Sequence, residues 1–207
     1  MEPMTKSEAR REAILRTATE VFHEAGFDRA SMSDICNRVG YSKATVYAYF
    51  KSKEELLVAI ALDAAEAEFE AVRAALGEAP AGLQAALEHA GQRYLAHACA
   101  PATLAARRLM LAEAGRAGLG QQCYDLGPAR VIAALAALLH TAMDDGRLRE
   151  AGSELAARHL KGLFDAEWSE RLLFQAAGAP GAEQLAAAAA RAVAVFLAAY
   201  GAATPVS

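Results

Sequence analysis

The chain has 207 residues and a mass of 21.8 kDa, enough for one large domain or two small ones and too little for a large multidomain enzyme. It holds 54 alanines and only 7% aromatics; Ala is the best helix former and strands favour β-branched and aromatic residues, so a β-sandwich is excluded, as are collagen-like and disordered chains. The formal net charge of −4 is unevenly spread: residues 1–53 carry +2 and four of the five lysines, and residues 54–207 carry −6. That asymmetry points to a phosphate-facing head on an acidic body, although a chance bias among solvated charges gives the same count.

The first helix is opened by a Thr5-x-x-Glu8 capping box, carries Ile14, Ala18, Val21, Phe22 and Ala25 at helical spacing, and is closed by Gly26. Ser31, supported by Asp34, caps a short second helix with Met32, Ile35 and Val39 on its apolar side. Gly40 ends it, and Ser42 caps a third helix, Lys43 to Tyr49, only two residues later. Ser52 and Glu55 start a longer fourth helix that runs to about Leu76 and is stopped by Gly77 to Pro80. Two short helices around a tight glycine turn, set between longer ones, form a helix-turn-helix pattern. Further helices are expected over 81–99, 103–117, 128–145, 153–175 and 181–200, with Pro101, the Gly115/Gly118/Gly120 cluster, Gly146, Gly152 and Gly178–Gly181 as breakers. The expected fold is all-α with about nine helices, divided into residues 1–53 and 54–207.

Other classes of function find little support. The longest charge-free run, Ala192 to Ser207, falls short of the ~18 to 20 predominantly apolar residues a membrane span needs, and Met1 to Arg16 is too charged for a signal segment. No membrane partner and a cytoplasmic location are therefore expected. Cys36, Cys99 and Cys123 are odd in number and widely spaced, which gives no disulfide framework and no metal knuckle, and leaves a redox role for Cys99 or Cys123 open. The five histidines lack metal-binding spacing, and no nucleophile elbow, P-loop or dinucleotide fingerprint occurs. Neither an enzyme nor a bound cofactor or metal is expected.

The stretch from Ala13 to Leu57, above all Gly40-Tyr-Ser-Lys-Ala-Thr-Val-Tyr-Ala-Tyr-Phe-Lys-Ser-Lys-Glu-Glu-Leu56, resembles the DNA-binding domain of TetR/AcrR-type transcriptional regulators. The residue chemistry agrees. A seven-residue helix fits a major groove ~12 Å wide, with its N-terminal end toward base edges. There Lys43 can donate to guanine, Ala44 can touch a thymine methyl, and Thr45 can serve a base or a phosphate beside the cap Ser42. Ser31 and Ser33 stand where a phosphate can meet free backbone N–H groups, and Lys53 opens the fourth helix, where charge and dipole both favour phosphate. The resemblance makes Tyr47 and Tyr49 backbone contacts as well. Val46 and Phe50 are expected to pack inward, and Lys51 to be a solvated charge.

From about 103 to 175 the chain is similar to the AefR-like branch of that family, through Arg108-Leu-Met-Leu-Ala-Glu-Ala114, Gly127-Pro-Ala-Arg130, Gly146-Arg-Leu148 and Glu154 to Phe164. Where that branch carries an aromatic-Pro pair, this chain has Arg116-Ala-Gly-Leu-Gly120, and a looser loop is expected. The resemblance implies a homodimer that acts on a double-stranded DNA operator, most simply as a repressor released by a small-molecule effector. The larger side chains on the middle helices, Phe69, Tyr94, His97, Met110, Tyr124, His140, Phe164 and Trp168, are the candidates for the effector pocket, which would suit a hydrophobic or aromatic molecule; each also fits a plain core position. The implied dimer interface lies on the last two helices, with Leu160, Phe164, Leu172, Leu185, Ala189, Val193 and Phe196 as candidates. The same residues could instead close the protomer's own core.

Overall fold

In the computed structural model, which describes residues 5–78, 82–115 and 118–202, the described residues form eleven α-helices with one isolated antiparallel bridge, Leu148 to Gly201. In chain order they are α1 (Lys6–Ala25), α2 (Met32–Val39), α3 (Lys43–Tyr49), α4 (Lys53–Gly77), α5 (Leu83–Ala98), α6 (Pro101–Glu113), α7 (Leu119–Leu126), α8 (Pro128–Asp144), α9 (Ser153–Asp165), α10 (Ser169–Leu173) and α11 (Ala182–Tyr200). The chain is all-α, as its composition requires.

Two helices exceed the nine expected. The glycines around 118 read as a breaker, yet Leu119 is buried and Cys123 packs one turn on against the same core, so a short amphipathic helix, α7, forms there. Glycine is needed at position 120 inside it, because a Cβ there would run into the Ala114 carbonyl oxygen at 2.7 Å. Arg116 and Ala117, part of the loop expected to be looser, lie outside the described residues, as does Pro80 of the expected stop after α4. The segment expected as one helix over 153–175 is broken at residues 166–168. The ladder tightens to Ala166 N–H→Leu163 O, and a new helix opens with Leu172 N–H→Trp168 O at 2.9 Å.

The chain gathers into two compact units whose limits differ from a cut after residue 53. One comprises the residues up to Ala64 together with Ala105–Cys123; the other comprises Ala65–Leu104 and the residues from Tyr124 onward. In the first, Ile14, Phe22, Ile35, Val46, Phe50, Leu56, Leu57 and Ile60 form a core joined by Leu109 of α6 and Leu119 of α7. Phe22 and Phe27 hold their rings 5.2 Å apart and seal the turn after α1.

In the second unit α11 lies against α5 and α9, and α9 against α8. Its core holds Leu87, Leu95, Val131, Leu135, Leu139, Leu160, Phe164, Val193 and Phe196. Alanines 156, 157, 188, 189 and 192 are all buried there, where small side chains let helices approach closely. By length and hydropathy alone, the stretch Leu119–Asp144 and helix α11 would be long and apolar enough to cross a membrane, which the count of charge-free residues did not anticipate. The first stretch is two helices with Asp125 and Arg130 between its ends, and α11 buries its larger side chains, Leu185, Val193, Phe196 and Tyr200, among α5 and α9.

Candidate nucleic-acid interface

The helix pair α2–α3 is built by two caps and one glycine. Ser31 and Asp34 close a reciprocal box: the Ser31 hydroxyl donates to Asp34 at 2.6 Å, and the Asp34 N–H returns to that hydroxyl at 3.2 Å. Gly40 takes φ 76°, ψ 15°, the left-handed conformation that L side chains resist, and turns the chain from α2 to the next cap. Ser42 accepts the Thr45 N–H at 3.1 Å and shares a 2.8 Å hydrogen bond with the Thr45 hydroxyl. Val46 is fully buried and Phe50 nearly so, as expected from their four-residue spacing. That anchoring turns Lys43, Ala44 and Tyr47 to solvent. About 10 Å of capped helix thus presents a lysine, a methyl and a phenol to solvent, with the half-buried Thr45 hydroxyl held against Ser42.

The other predicted contacts fare unevenly. Ser33 is exposed at the start of α2. Ser31 spends its hydroxyl on Asp34, whose carboxylate then stands where a phosphate was expected; the Ser31 hydroxyl first and its N–H second hold that carboxyl below the usual carboxylate range. Tyr49 is half-buried with its hydroxyl 3.1 Å from Ser7 Oγ, which places the first turn of α1 beside the C-terminal end of α3. Lys53 does not extend outward: its ammonium donates to the carbonyls of Phe27 (2.8 Å), Asp28 (3.1 Å) and Ala30 (3.3 Å) and sits 4.6 Å from the centre of the Phe27 ring. Lys51, expected as a solvated charge, donates to the Tyr47 carbonyl at 2.7 Å.

The positive charge of this unit is therefore mostly committed. Arg11 pairs with Asp63, Arg38 with Glu24, and Arg29 donates to the Ala25 carbonyl. Among the described residues, Lys6, Arg10, Arg16 and Lys43 are exposed without such partners. Lys6 and Arg10 went unnoticed in the sequence because their place beside α3 depends on the Ser7–Tyr49 contact, 42 residues apart in the chain.

The residues expected around an effector are only partly brought together. Tyr94 and Phe164 are buried with ring centres 6.0 Å apart, and the Tyr94 hydroxyl donates to Asp165 at 2.8 Å, where Lys161 and Ser169 also donate. Burial alone would lower the Lys161 pKa, but Tyr94 and Asp165 hold it above its ordinary value. Phe69 lies 4.1 Å beneath the Arg130 guanidinium, His97 meets Thr103 at 3.3 Å, and Trp168 is half-buried under Arg171. Tyr124 and His140 are surface residues: Tyr124 accepts from Arg158, and His140 faces Asp144 with 68% of its side chain exposed. The reason is helical phase, since α8 buries Val131, Leu135, Leu139 and Ala142, which turns His140 outward. Met110 belongs to the first unit.

The candidate dimer residues need the same correction. Leu160, Phe164, Leu172, Leu185, Ala189, Val193 and Phe196 are all buried inside their own protomer, so the alternative reading, core closure, describes them. The large apolar side chains left outside on these elements are Leu155 (56% exposed), Phe174 (78%) and Val195 (55%).

Comparison with known proteins decides the family. Residues 85–202, more than half of the chain, match the C-terminal domain of AefR-like transcriptional repressors, and residues 14–60 match the bacterial regulatory proteins of the tetR family. The chain belongs to the TetR family. It is a transcriptional regulator with a helix-turn-helix DNA-binding head, and the family is not one of enzymes. A TetR-family regulator from Mesorhizobium loti shares its fold at a TM-score of 0.82 with 28% identity, over 96% of this chain and all of that one. The flavonoid-responsive regulator FrrA matches at 0.68 with 28% identity, over 93% and 97%. The regulator YvdT of Bacillus subtilis is 50% identical over 50 residues, 24% of this chain and 26% of its own length. The chain thus spans only about a quarter of the length of the curated relatives it matches.

Proposed function

We propose that this TetR-family protein is a cytoplasmic, homodimeric repressor that places one α3 helix per protomer in successive major grooves of a palindromic operator and is released by a small-molecule effector. The observation that carries it is the doubly anchored helix α3: Lys43, Ala44 and Tyr47 are exposed beside a half-buried Thr45, above a buried Val46 and Phe50. One such helix offers too few contacts for specific affinity, so two half-sites are required. Ser33, Lys6 and Arg10 supply phosphate contacts at the edges, with Ser42 and Tyr49 holding the helix in register.

The head reads DNA, and the residues beyond it bind effector and dimerise. The second copy docks on the outward side of α9 to α11, through Leu155, Phe174 and Val195, since the inward residues of those helices are already used. A hydrophobic or aromatic effector would be held within the apolar second unit, with Tyr94, Phe164 and Trp168 as its candidate contacts, and the flavonoid response of the FrrA relative supports an aromatic one. Release needs an effector that binds one state better than the other, typically by ~1 to 3 kcal/mol. The test is binding of the full chain to the DNA upstream of its own gene, against a scrambled duplex, over a range of salt. Strong preference for one site, weakened by flavonoid, supports the reading; a steep salt dependence with no sequence preference overturns it.

A further inference from the structure

Two lysines sit on either side of Ser52, and both donate their ammonium groups to backbone carbonyls. Lys51 closes the C-terminal end of α3 by donating to the Tyr47 carbonyl, while its own N–H donates to Glu55 at 2.6 Å. Lys53 faces the opposite way, and its three ammonium hydrogens meet three carbonyls of the corner between α1 and α2. An ammonium has three donors and no more, so this set leaves none for a phosphate oxygen. The ring of Phe27, itself buried against Phe22, faces the same ammonium. The corner it holds, Phe27 to Ala30, leads directly into Ser31, the cap of α2.

We propose that Lys53 is a positioning residue, one that fastens the start of α2 to the first turn of α4, and not a ligand of the DNA backbone. Lys51 does the corresponding work for the end of α3. The pair α2–α3 is then fixed at both ends to the segment 51–55, and the angle of the recognition helix follows the first turn of α4. Lysine suits this role better than arginine: three carbonyls converging on a point match a compact ammonium, whereas a planar guanidinium cannot point three donors at one corner.

The inference rests on the DNA-binding reading only for its affinity readout. The experiment compares wild type, Lys53→Met and Lys53→Arg as full chains, with Lys43→Met as the reference for a true contact. Operator affinity is measured against salt, and amide hydrogen exchange at Asp28 to Ser31 is measured in the DNA-free protein. Both Lys53 variants are expected to weaken binding on the order of tenfold with the salt slope unchanged, and to exchange faster at the corner. Lys43→Met is expected to lower the slope by about one per head if its ammonium reaches a phosphate. Full affinity in Lys53→Arg together with a slope reduced by about one in Lys53→Met overturns the proposal, and so does unchanged exchange at the corner. If wild type binds no DNA, the exchange data still decide the clamp.

Discussion

At the scale of single residues, two positions carry the geometry of the head. Gly40 adopts a left-handed conformation that a Cβ would strain, although nothing crowds it within 4 Å. Gly40→Ala is expected to cost ~1 to 2 kcal/mol in denaturant unfolding, a backbone penalty with no steric share. Asp34 adds a dependence on pH. Its carboxyl is held below the ordinary range by Ser31, so its folded pKa lies under the unfolded value of ~3.9. The capping box therefore contributes fully above that value and is lost as pH falls through the lower, folded one. Protection of the α2 amides should be constant near neutrality and decline below about pH 4, and Asp34→Asn should remove that decline. Side-chain types and spacings made Val46, Phe50 and the four caps Thr5, Ser31, Ser42 and Ser52 legible in the sequence. The carbonyl partners of Lys51 and Lys53 were not legible because every sequence position carries a carbonyl; only the spacing Tyr47–Lys51–Glu55 hinted at the first.

At the scale of elements, sequence periodicity placed ten of the eleven helices in segments expected to be helical, and glycine misled it at α7. Three glycines in six residues signal a loop by propensity, but burial of Leu119 outweighs a cost of about 1 kcal/mol for a helical glycine. The break between α9 and α10 was invisible because Ala166, Glu167 and Trp168 suit a helix locally. It leaves Phe174 beyond α10, exposed, and not on an inward face. Within the second unit α5 approaches α9 through Gly91, where a methyl would meet Cζ of Phe164 at 2.7 Å. Gly91→Ala is expected to destabilise by ~1 to 3 kcal/mol, and the added change Phe164→Leu should recover part of it. If the double variant is as unstable as the sum of the singles, the close approach is not the cause.

At the scale of the whole molecule, the family and the all-α fold were legible because the motif around Gly40 to Leu56 is long and its chemistry local. The proposed dimer face and effector pocket were not, because apolar residues on a helix do not state whether they meet their own core or a partner. Leu185, Ala189, Val193 and Phe196 turned inward, leaving Val195 outside on the same helix. Val195→Asp is expected to shift the protein to monomer in sedimentation while leaving its melting near that of the wild-type chain; a variant that stays fully dimeric contradicts the proposed face. The central claim is that two α3 helices, one per protomer, read two half-sites through Lys43, Thr45 and Tyr47. A hydroxyl-radical footprint on the DNA upstream of the gene tests it most directly. Two equal protected patches, centred about one helical turn or a multiple of it apart, are expected, and both should vanish in a dimeric Lys43→Ala/Tyr47→Ala variant. A single patch, or protection that survives the two substitutions, would contradict it.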